Sequence, residues 1–450
     1  MTKIAVIGCG YVGAVSAACF AELGHQVQCI DTDASRIAIL RAGRSPIHEP
    51  GLDELIASGL KAGLLSFSTE YPETFEARIV FVAVNTPESQ EGAADIRAVR
   101  DAVTNIAPRL RPGSIIVNKS TVPIGTGELV AGMALRAGGA RVAVVSNPEF
   151  LREGSAIDDF MAPDRIVLGS DDAEAIERVA ELYDPLDAPL VRVDIRTAEM
   201  VKYASNAFLA TKISFINEIA SICEALGADV EQVARGMGLD SRIGPQFLKA
   251  GLGWGGSCFP KDVKALAHMA AIHGTHPQLL RSVMDINTGQ RMRTLRKTRQ
   301  AVGPLEGRRI AILGASFKAN TDDIRNSPAL DLAALFQLEG AVVALFDPVV
   351  PPERITAALP GIVVASDAAE AVTGADAVVI ATDWPEFREL DLRNIARLMA
   401  RPLMIDARNF MPGARARAAG FDYHCIGRPS EEGPSTQLRL MELAAAGGAL

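Results

Sequence analysis

The sequence predicts an α/β chain in which two doubly wound, Rossmann-like domains are joined by a central all-helical domain with one long helix. Three observations carry this. Residues 3–31 read as a strand, a glycine-rich turn, a small-residue helix and a second strand. Residues 309–347 repeat that cadence: Arg309-Ile310-Ala311-Ile312-Leu313-Gly314 matches Ile4-Ala5-Val6-Ile7-Gly8, and Gly340 to Asp347 matches Gly24 to Asp31. Between them, from Arg196 to Leu226, apolar residues recur at close to helical spacing without a proline and stop at Gly227. The expected domains are 1–195, 196–300 and 301–428, and the Ser/Glu/Gly/Ala-rich stretch 429–450 is expected to fray.

Composition excludes several classes of function. The 450 residues carry a net charge of -9, which argues against nucleic acid, and no Lys/Arg block suits a membrane surface. Arg291, Arg293, Arg296, Lys297 and Arg299 form the one basic cluster, read as a solvated helix face. No stretch is long and apolar enough to cross a bilayer. The chain starts directly on a strand, leaving no room for a signal peptide, so a cytoplasmic protein is expected. Cys9, Cys19, Cys29, Cys223, Cys258 and Cys425 show no CxxC pair and no metal-ligand spacing, as expected of reduced thiols with no metal.

The first strand, Lys3 to Ile7, runs into Gly8-Cys9-Gly10-Tyr11-Val12-Gly13, a helix follows to Leu23, and the next strand ends on Asp31. G-x-G-x-x-G alone is a weak signal. Placed between a strand and a helix, with an acid about twenty residues on, it reads as a dinucleotide fingerprint. The glycines admit a pyrophosphate to the helix N-terminus, where unpaired N–H groups and the macrodipole favour negative charge. Asp31 would accept from the ribose hydroxyls and repel a 2′-phosphate, which favours NAD over NADP. Further strands are expected at 78–84, 114–118 and 141–146, ending in Asn85-Thr86-Pro87, Lys119-Ser120-Thr121-Val122-Pro123 and Asn147 to Gly154. In an open parallel sheet these ends face the ligand crevice. Thr86 and Thr121 offer hydroxyls there. Glu149 and Glu153, four apart, would share a face if the segment coils, either for proton handling or for pairing with Arg152.

On the long helix Lys202 and Asn206 are one turn apart. Downstream, Phe247 to Asp262 holds four glycines, Gly251, Gly253, Gly255 and Gly256, ahead of Cys258, Lys261 and Asp262. Glycines let backbone approach a ligand closely, and a thiol beside a cation at a helix start suits a nucleophile. A buried structural cysteine is the plain alternative. In the last domain Ser316 and Ala319 stand where Gly10 and Gly13 stand in the first, implying a different phosphate ligand. Lys318, Thr321, Asp322 and Arg325 populate its first loop.

Seven motifs in order give a resemblance over nearly all of residues 1–428: Gly8 to Gly13, Ser120 to Thr126, Asn147 to Gly154, Lys202 to Asn206, Gly255 to Asp262, Thr321 to Arg325 and Asp406 to Asn409. The chain resembles the UDP-glucose/GDP-mannose dehydrogenase family. The resemblance implies NAD-dependent four-electron oxidation of UDP-glucose to UDP-glucuronate, in which Cys258 forms a thiohemiacetal and then a thioester that water hydrolyses. Lys202 and Asn206 would stabilise the oxyanion and also touch the substrate; Asp262 and Thr121 would hold the proton-transfer water; Glu149 would be the base for hydrolysis. For NAD it adds Tyr11, Val12, Arg36, Thr86, Thr121, Glu153, Lys261 and Arg325 to Gly8, Gly10, Gly13 and Asp31. For the UDP-sugar it implies Phe150, Leu151, Arg152, Glu153, Phe247, Lys249, Gly251, Gly255, Lys318 and Arg408, with Arg242 reaching in from a partner, since the family dimerises through the central helix. Trp254 stands where the family often has Phe or Tyr. A homodimer or higher homo-oligomer is expected. The same chemistry on GDP-mannose or a UDP-N-acetyl hexosamine is the nearest rival, and a non-catalytic nucleotide-binding regulatory protein the rival from another class.

Overall fold

The computed structural model describes residues 1–89, 92–138 and 141–428; the tail expected at 429–450 lies outside the described residues. The chain divides into two compact units, Met1–Asn206 with Lys264–Thr275, and Ala207–Val263 with the described residues from His276 onward. The helix Ile195–Leu226 is continuous and contributes to both, close to the expected span.

The first unit is built on β1 (Lys3–Ile7), β2 (Gln26–Ile30), β3 (Leu65–Ser68), β4 (Ile79–Val82), β5 (Ile115–Asn118), β6 (Ala143–Ser146), β7 (Ile166–Gly169) and β8 (Leu190–Val193). Their order is β3-β2-β1-β4-β5-β6-β7-β8, parallel except where β7 meets β6. β4 and β5 read Ile-Val-Phe-Val and Ile-Ile-Val-Asn and are buried throughout, as strands covered on both faces must be. Ile4 and Val6 pack in one layer, with Phe20, Phe81, Phe160 and Tyr183; Ala5 and Ile7 pack in the other, with Val99, Val103 and Val130. The strand order reverses between β1 and β4, so their carboxyl ends frame a crevice. β3, β7 and β8 are additional to the expected strands. Leu65-Ser66-Phe67-Ser68 is short, and Leu190-Val191-Arg192-Val193 is half exposed at the sheet edge, so neither gives a strong buried-strand pattern.

The second unit holds a six-stranded parallel sheet of β9 (Arg309–Leu313), β10 (Val342–Phe346), β11 (Val363–Val364), β12 (Ala377–Ile380), β13 (Leu403–Asp406) and β14 (Asp422–Cys425), ordered β11-β10-β9-β12-β13-β14. It repeats the topology of the first six strands of the other sheet. Helices Val230–Gly238 and Gln278–Val302 belong to this unit. The basic cluster on the second of them is a solvated face only at Arg296 and Arg299, which are exposed. Arg291 is buried, and its guanidinium donates to the carbonyls of Asn287 and Trp254, at 2.5 and 3.4 Å. Arg293 and Lys297 both pair with Glu224, at 3.1 and 2.8 Å.

Candidate active site

The expected site residues fall in both units. In the first, the glycine turn has the geometry the fingerprint requires. Gly8 sits at φ +97°, and a Cβ on Gly13 would lie 1.8 Å from the Gly8 carbonyl oxygen, so a side chain at 13 would force the turn open. A Cβ on Gly10 would meet only Asn85 Oδ1, at 3.5 Å. Gly10 caps the helix Tyr11–Glu22 without a side chain, which leaves first-turn N–H groups for an anion. These residues therefore fit a dinucleotide pyrophosphate.

Asp31 is committed to the same turn. Its Oδ2 accepts from Cys9 N–H at 2.7 Å and from Arg36 Nη1 at 2.9 Å, and its Oδ1 accepts from Asp33 N–H at 2.9 Å. Thr86 Oγ1 donates to the Thr121 carbonyl at 2.7 Å, tying together the segments after β4 and β5. Tyr11 donates its hydroxyl to Glu49, which also accepts from Gly154 N–H at 2.6 Å and Ala156 N–H at 2.7 Å. Burial and this carboxylate push the Tyr11 phenol far up, so it stays a donor.

The segment 147–154 is not helical, so Glu149 and Glu153 do not share a helix face. Glu149 turns inward. Its Oε1 accepts from Lys202 Nζ at 2.8 Å and its Oε2 from Leu151 N–H at 2.7 Å, with the two charged side chains only 6% and 4% exposed. Burial pulls the Glu149 carboxyl up, but Lys202, Leu151 N–H and Lys119 together outweigh it and hold the group below its ordinary value. Asn206, one turn along from Lys202, is also buried. Phe150 stacks under the Arg165 guanidinium, 3.6 Å from ring centroid to Cζ, whereas Arg152 is exposed and forks onto Asp159.

In the second unit the glycine segment is laced to its surroundings. Phe247 adopts φ +64°. Gly251 N–H donates to Asn217 Oδ1 at 2.8 Å, and Trp254 N–H to Asn287 Oδ1 at 2.8 Å. A Cβ on Gly255 would lie 2.2 Å from the Asn326 carbonyl oxygen, so the close approach leaves room for glycine alone. Trp254 Nε1 donates to Ser214 Oγ at 3.0 Å, which fixes the larger ring in place. Cys258 is half-buried and directly precedes the helix Phe259–Ile272, whose Asp262 N–H donates to the Cys258 carbonyl at 2.9 Å. That hydrogen bond closes the first helical turn and puts Cys258 at the helix end that favours negative charge. Lys261 Nζ pairs with Asp262 at 2.8 Å.

Arg408 spends its donors on backbone: Nε to Ala381, Nη1 to Gly253 and Nη2 to Phe317, at 2.7, 3.0 and 2.9 Å. Lys249 pairs with Asp383 at 2.8 Å, Lys318 lies over the Phe317 ring, and Arg325 forks onto Asp323 with a side chain 62% exposed. Arg242 is exposed and paired with Asp240. The turn after β9 shares with its counterpart after β1 the positive-φ glycine and the acid at the end of the next strand on the following N–H, and differs in the contacts of Ser316. Thr382 Oγ1 donates to the Ser316 carbonyl at 2.6 Å, and Asp347 accepts from Ala315 and Ser316 N–H at 2.7 and 3.0 Å. A Cβ on Gly314 would lie 2.3 Å from that of Thr382. The chain's own polar groups thus occupy the turn.

The chain matches the models of three domains in order: the UDP-glucose/GDP-mannose dehydrogenase family NAD binding domain over residues 2–187, its central domain over 196–289 and its UDP binding domain over 311–413. The chain belongs to the UDP-glucose/GDP-mannose dehydrogenase family. It is 47% identical to a UDP-glucose 6-dehydrogenase of Bacillus subtilis over 436 residues, covering 96% of this chain and 95% of the relative. It is also 47% identical to one from Rhizobium meliloti, covering 95% and 100%. A solved UDP-glucose dehydrogenase from Pyrobaculum islandicum superposes with a TM-score of 0.87 at 40% identity, covering 94% and 97%. The chain is therefore an oxidoreductase, and its first domain is the NAD-binding domain of that family.

Three buried groups of this dehydrogenase escape sequence reasoning. Glu49 ties Tyr11 to the segment carrying Glu153, from more than a hundred residues away. Its one signal is the Pro50-Gly51 turn that follows it. Glu199, three residues before Lys202, accepts from Gly125 and Gly127 N–H at 2.5 and 2.9 Å and so caps the helix Thr126–Arg136; burial pushes its carboxyl up to about 7. Lys119, beside Thr121, is inside the protein rather than at its surface.

Proposed function

We propose that the chain oxidises UDP-glucose to UDP-glucuronate through a covalent thioester on Cys258. The observation that supports this most is the pairing of 40–47% identity to UDP-glucose 6-dehydrogenases with a half-buried thiol at a helix start behind a glycine-only backbone segment. Gly8, Gly10, Tyr11, Val12, Gly13, Asp31, Arg36, Thr86, Thr121, Glu153, Lys261 and Arg325 would hold NAD, which would supply the hydride acceptor for each of the two oxidations. The Cys258 sulfur adds to the C6 aldehyde, and the thiohemiacetal so formed keeps the hydrogen that the second oxidation removes. Lys202 and Asn206 donate to the oxygen that gains charge, a role for fixed donors in a dry site. Asp262 and Thr121 hold the water that moves the alcohol proton. In the last step water oxygen bonds to the thioester carbon, its proton passes to Glu149, the C–S bond breaks and sulfur leaves as thiolate. The sum is one UDP-glucose, two NAD and one water giving one UDP-glucuronate, two NADH and three protons.

Phe150, Leu151, Arg152, Phe247, Lys249, Gly251, Gly255, Lys318 and Arg408 hold the UDP-sugar in this reading, with Arg242 supplied by a partner. Domain roles follow the expected division: 1–195 for NAD, 196–300 for catalysis and dimerisation, 301–428 for the UDP-sugar. Phe208, Phe215 and Ile222, spaced by seven on the long helix, are exposed, which supports a homodimer. Among the described residues no helix is long and apolar enough to cross a membrane, in keeping with a cytoplasmic enzyme. The test is NADH release per acid formed over a panel of nucleotide sugars. Two NADH per UDP-glucuronate, with GDP-mannose and UDP-N-acetyl hexosamines poor substrates, is expected. One NADH per sugar rejects the double oxidation, preference for another sugar rejects the substrate, and no NADH with any favours a regulatory role.

A further inference from the structure

Lys119 lies one residue beyond β5, and only 4% of its surface is exposed. Its Nζ donates to Asn147 Oδ1 at 3.0 Å and lies 3.5 Å from the Tyr183 hydroxyl. Tyr183 donates to the same Asn147 oxygen at 2.6 Å, and Asn147 Nδ2 donates to the Val167 carbonyl at 3.0 Å. The ammonium stands 5.9 Å from the Phe160 ring centroid and 6.0 Å from that of Tyr183. Among the described residues no carboxylate lies within salt-bridge distance of it. Methionine would fill this volume among aromatic rings without the desolvation of a charge, so a lysine here needs a reason beyond packing.

Asn147 supplies it. Its N–H donates to the Asn118 carbonyl at 2.9 Å, and two residues on stands Glu149, seated on Lys202. We propose that Lys119 is a positioning residue for thioester hydrolysis: through Asn147 it fixes the turn that carries Glu149, and its positive charge adds to that of Lys202 in serving Glu149 as the base. This rests on the reading of Glu149 given above.

The groups facing Lys119 are Glu149, Lys202 of the long helix, Cys19 of the helix Tyr11–Glu22 and the Tyr183 phenol. Burial raises both Cys19 and Tyr183, so neither contributes a negative charge near neutral pH. Burial and the neighbouring Lys202 charge push the Lys119 ammonium down to about 8 against the pull of Glu149, so the cation is present across the range in which Glu149 must ionise.

The test uses the full-length enzyme and follows UDP-glucuronate formation against pH, together with the fraction of protein carrying an acyl adduct on Cys258 by intact mass. Lys119→Gln keeps a donor for Asn147 and removes the charge; Lys119→Met, of similar volume, serves if the glutamine variant does not fold. The expected result for Lys119→Gln is an acid limb moved up by about one pH unit, acyl enzyme accumulating on that limb rather than at neutral pH, where Glu149 stays ionised, and an unchanged NAD affinity. Lys119→Arg should return the limb to its native position, and the neutral substitutions should add nothing in a Glu149→Gln background. An acid limb that stays in place in the neutral variants overturns the inference, whatever their rate, because a scaffold role alone predicts that. A native hydrolysis rate in Glu149→Gln removes the base reading and this inference with it; slow Glu149→Gln with an unmoved limb in the Lys119 variants removes this inference alone.

Discussion

Replacing Lys202 with methionine leaves the Glu149 carboxylate buried without its ammonium partner. The pair is separated by 2.8 Å, and its side chains are 4% and 6% exposed, so solvent cannot take over the missing charge. Breaking a pair so buried costs about 3–5 kcal/mol of stability. The sign with pH follows from the two proteins' pKa values. In the native chain the folded pKa of Glu149 lies below its unfolded value of about 4.3. Its contribution to stability is therefore present above that pH and lost as pH falls through the folded value. In Lys202→Met burial dominates and the folded pKa is raised, so the carboxyl is tolerated protonated and the variant loses stability as pH rises through that value. Urea unfolding followed by circular dichroism should show a deficit of about 3–5 kcal/mol at pH 8, shrinking by about half or more at pH 5. Lys202→Met combined with Glu149→Leu should recover most of the deficit and none of the activity. A deficit below about 1 kcal/mol at pH 8, the scale of a solvated ion pair, would refute the reasoning.

Two further substitutions probe the cofactor turn. Gly13→Ala puts a methyl 1.8 Å from the Gly8 carbonyl oxygen, and should weaken NAD at least about tenfold and cost about 1–3 kcal/mol of stability; native NAD affinity by calorimetry would contradict the tight-turn geometry. Asp31→Asn removes the anion that Arg36 holds at 2.9 Å, leaving Arg36 to meet a 2′-phosphate. The NAD-to-NADP ratio of kcat/KM should fall about tenfold or more, and an unchanged ratio would count against a ribose role for Asp31.

Where the geometry is local in sequence, it is legible. Gly8 to Gly13 with Asp31 lie within one strand-turn-helix-strand unit, and the glycine segment ending at Cys258 needs no distant partner to be recognised. The repeat at Arg309 to Asp347 marks the second sheet, and the serine at 316 is a true sign that the second turn differs. Partnerships across long separations are not legible. Glu149 and Lys202 stand 53 residues apart, and nothing in the 147–154 stretch says that it stays non-helical and turns one acid inward. Arg291 misleads because an arginine on a basic helix is usually solvated, whereas this one lies over the Trp254 carbonyl. Lys119 and Glu49 are charged residues buried by neighbours that only the fold supplies.

The central claim is that sulfur at position 258 captures the carbonyl made in the first oxidation. The measurement that tests it most directly is the rate at which Cys258→Ala converts UDP-glucose to UDP-glucuronate under saturating NAD, beside the native chain. The account predicts a rate at least about a thousandfold lower, with NAD still bound at native affinity. Acid formed within about tenfold of the native rate would contradict it.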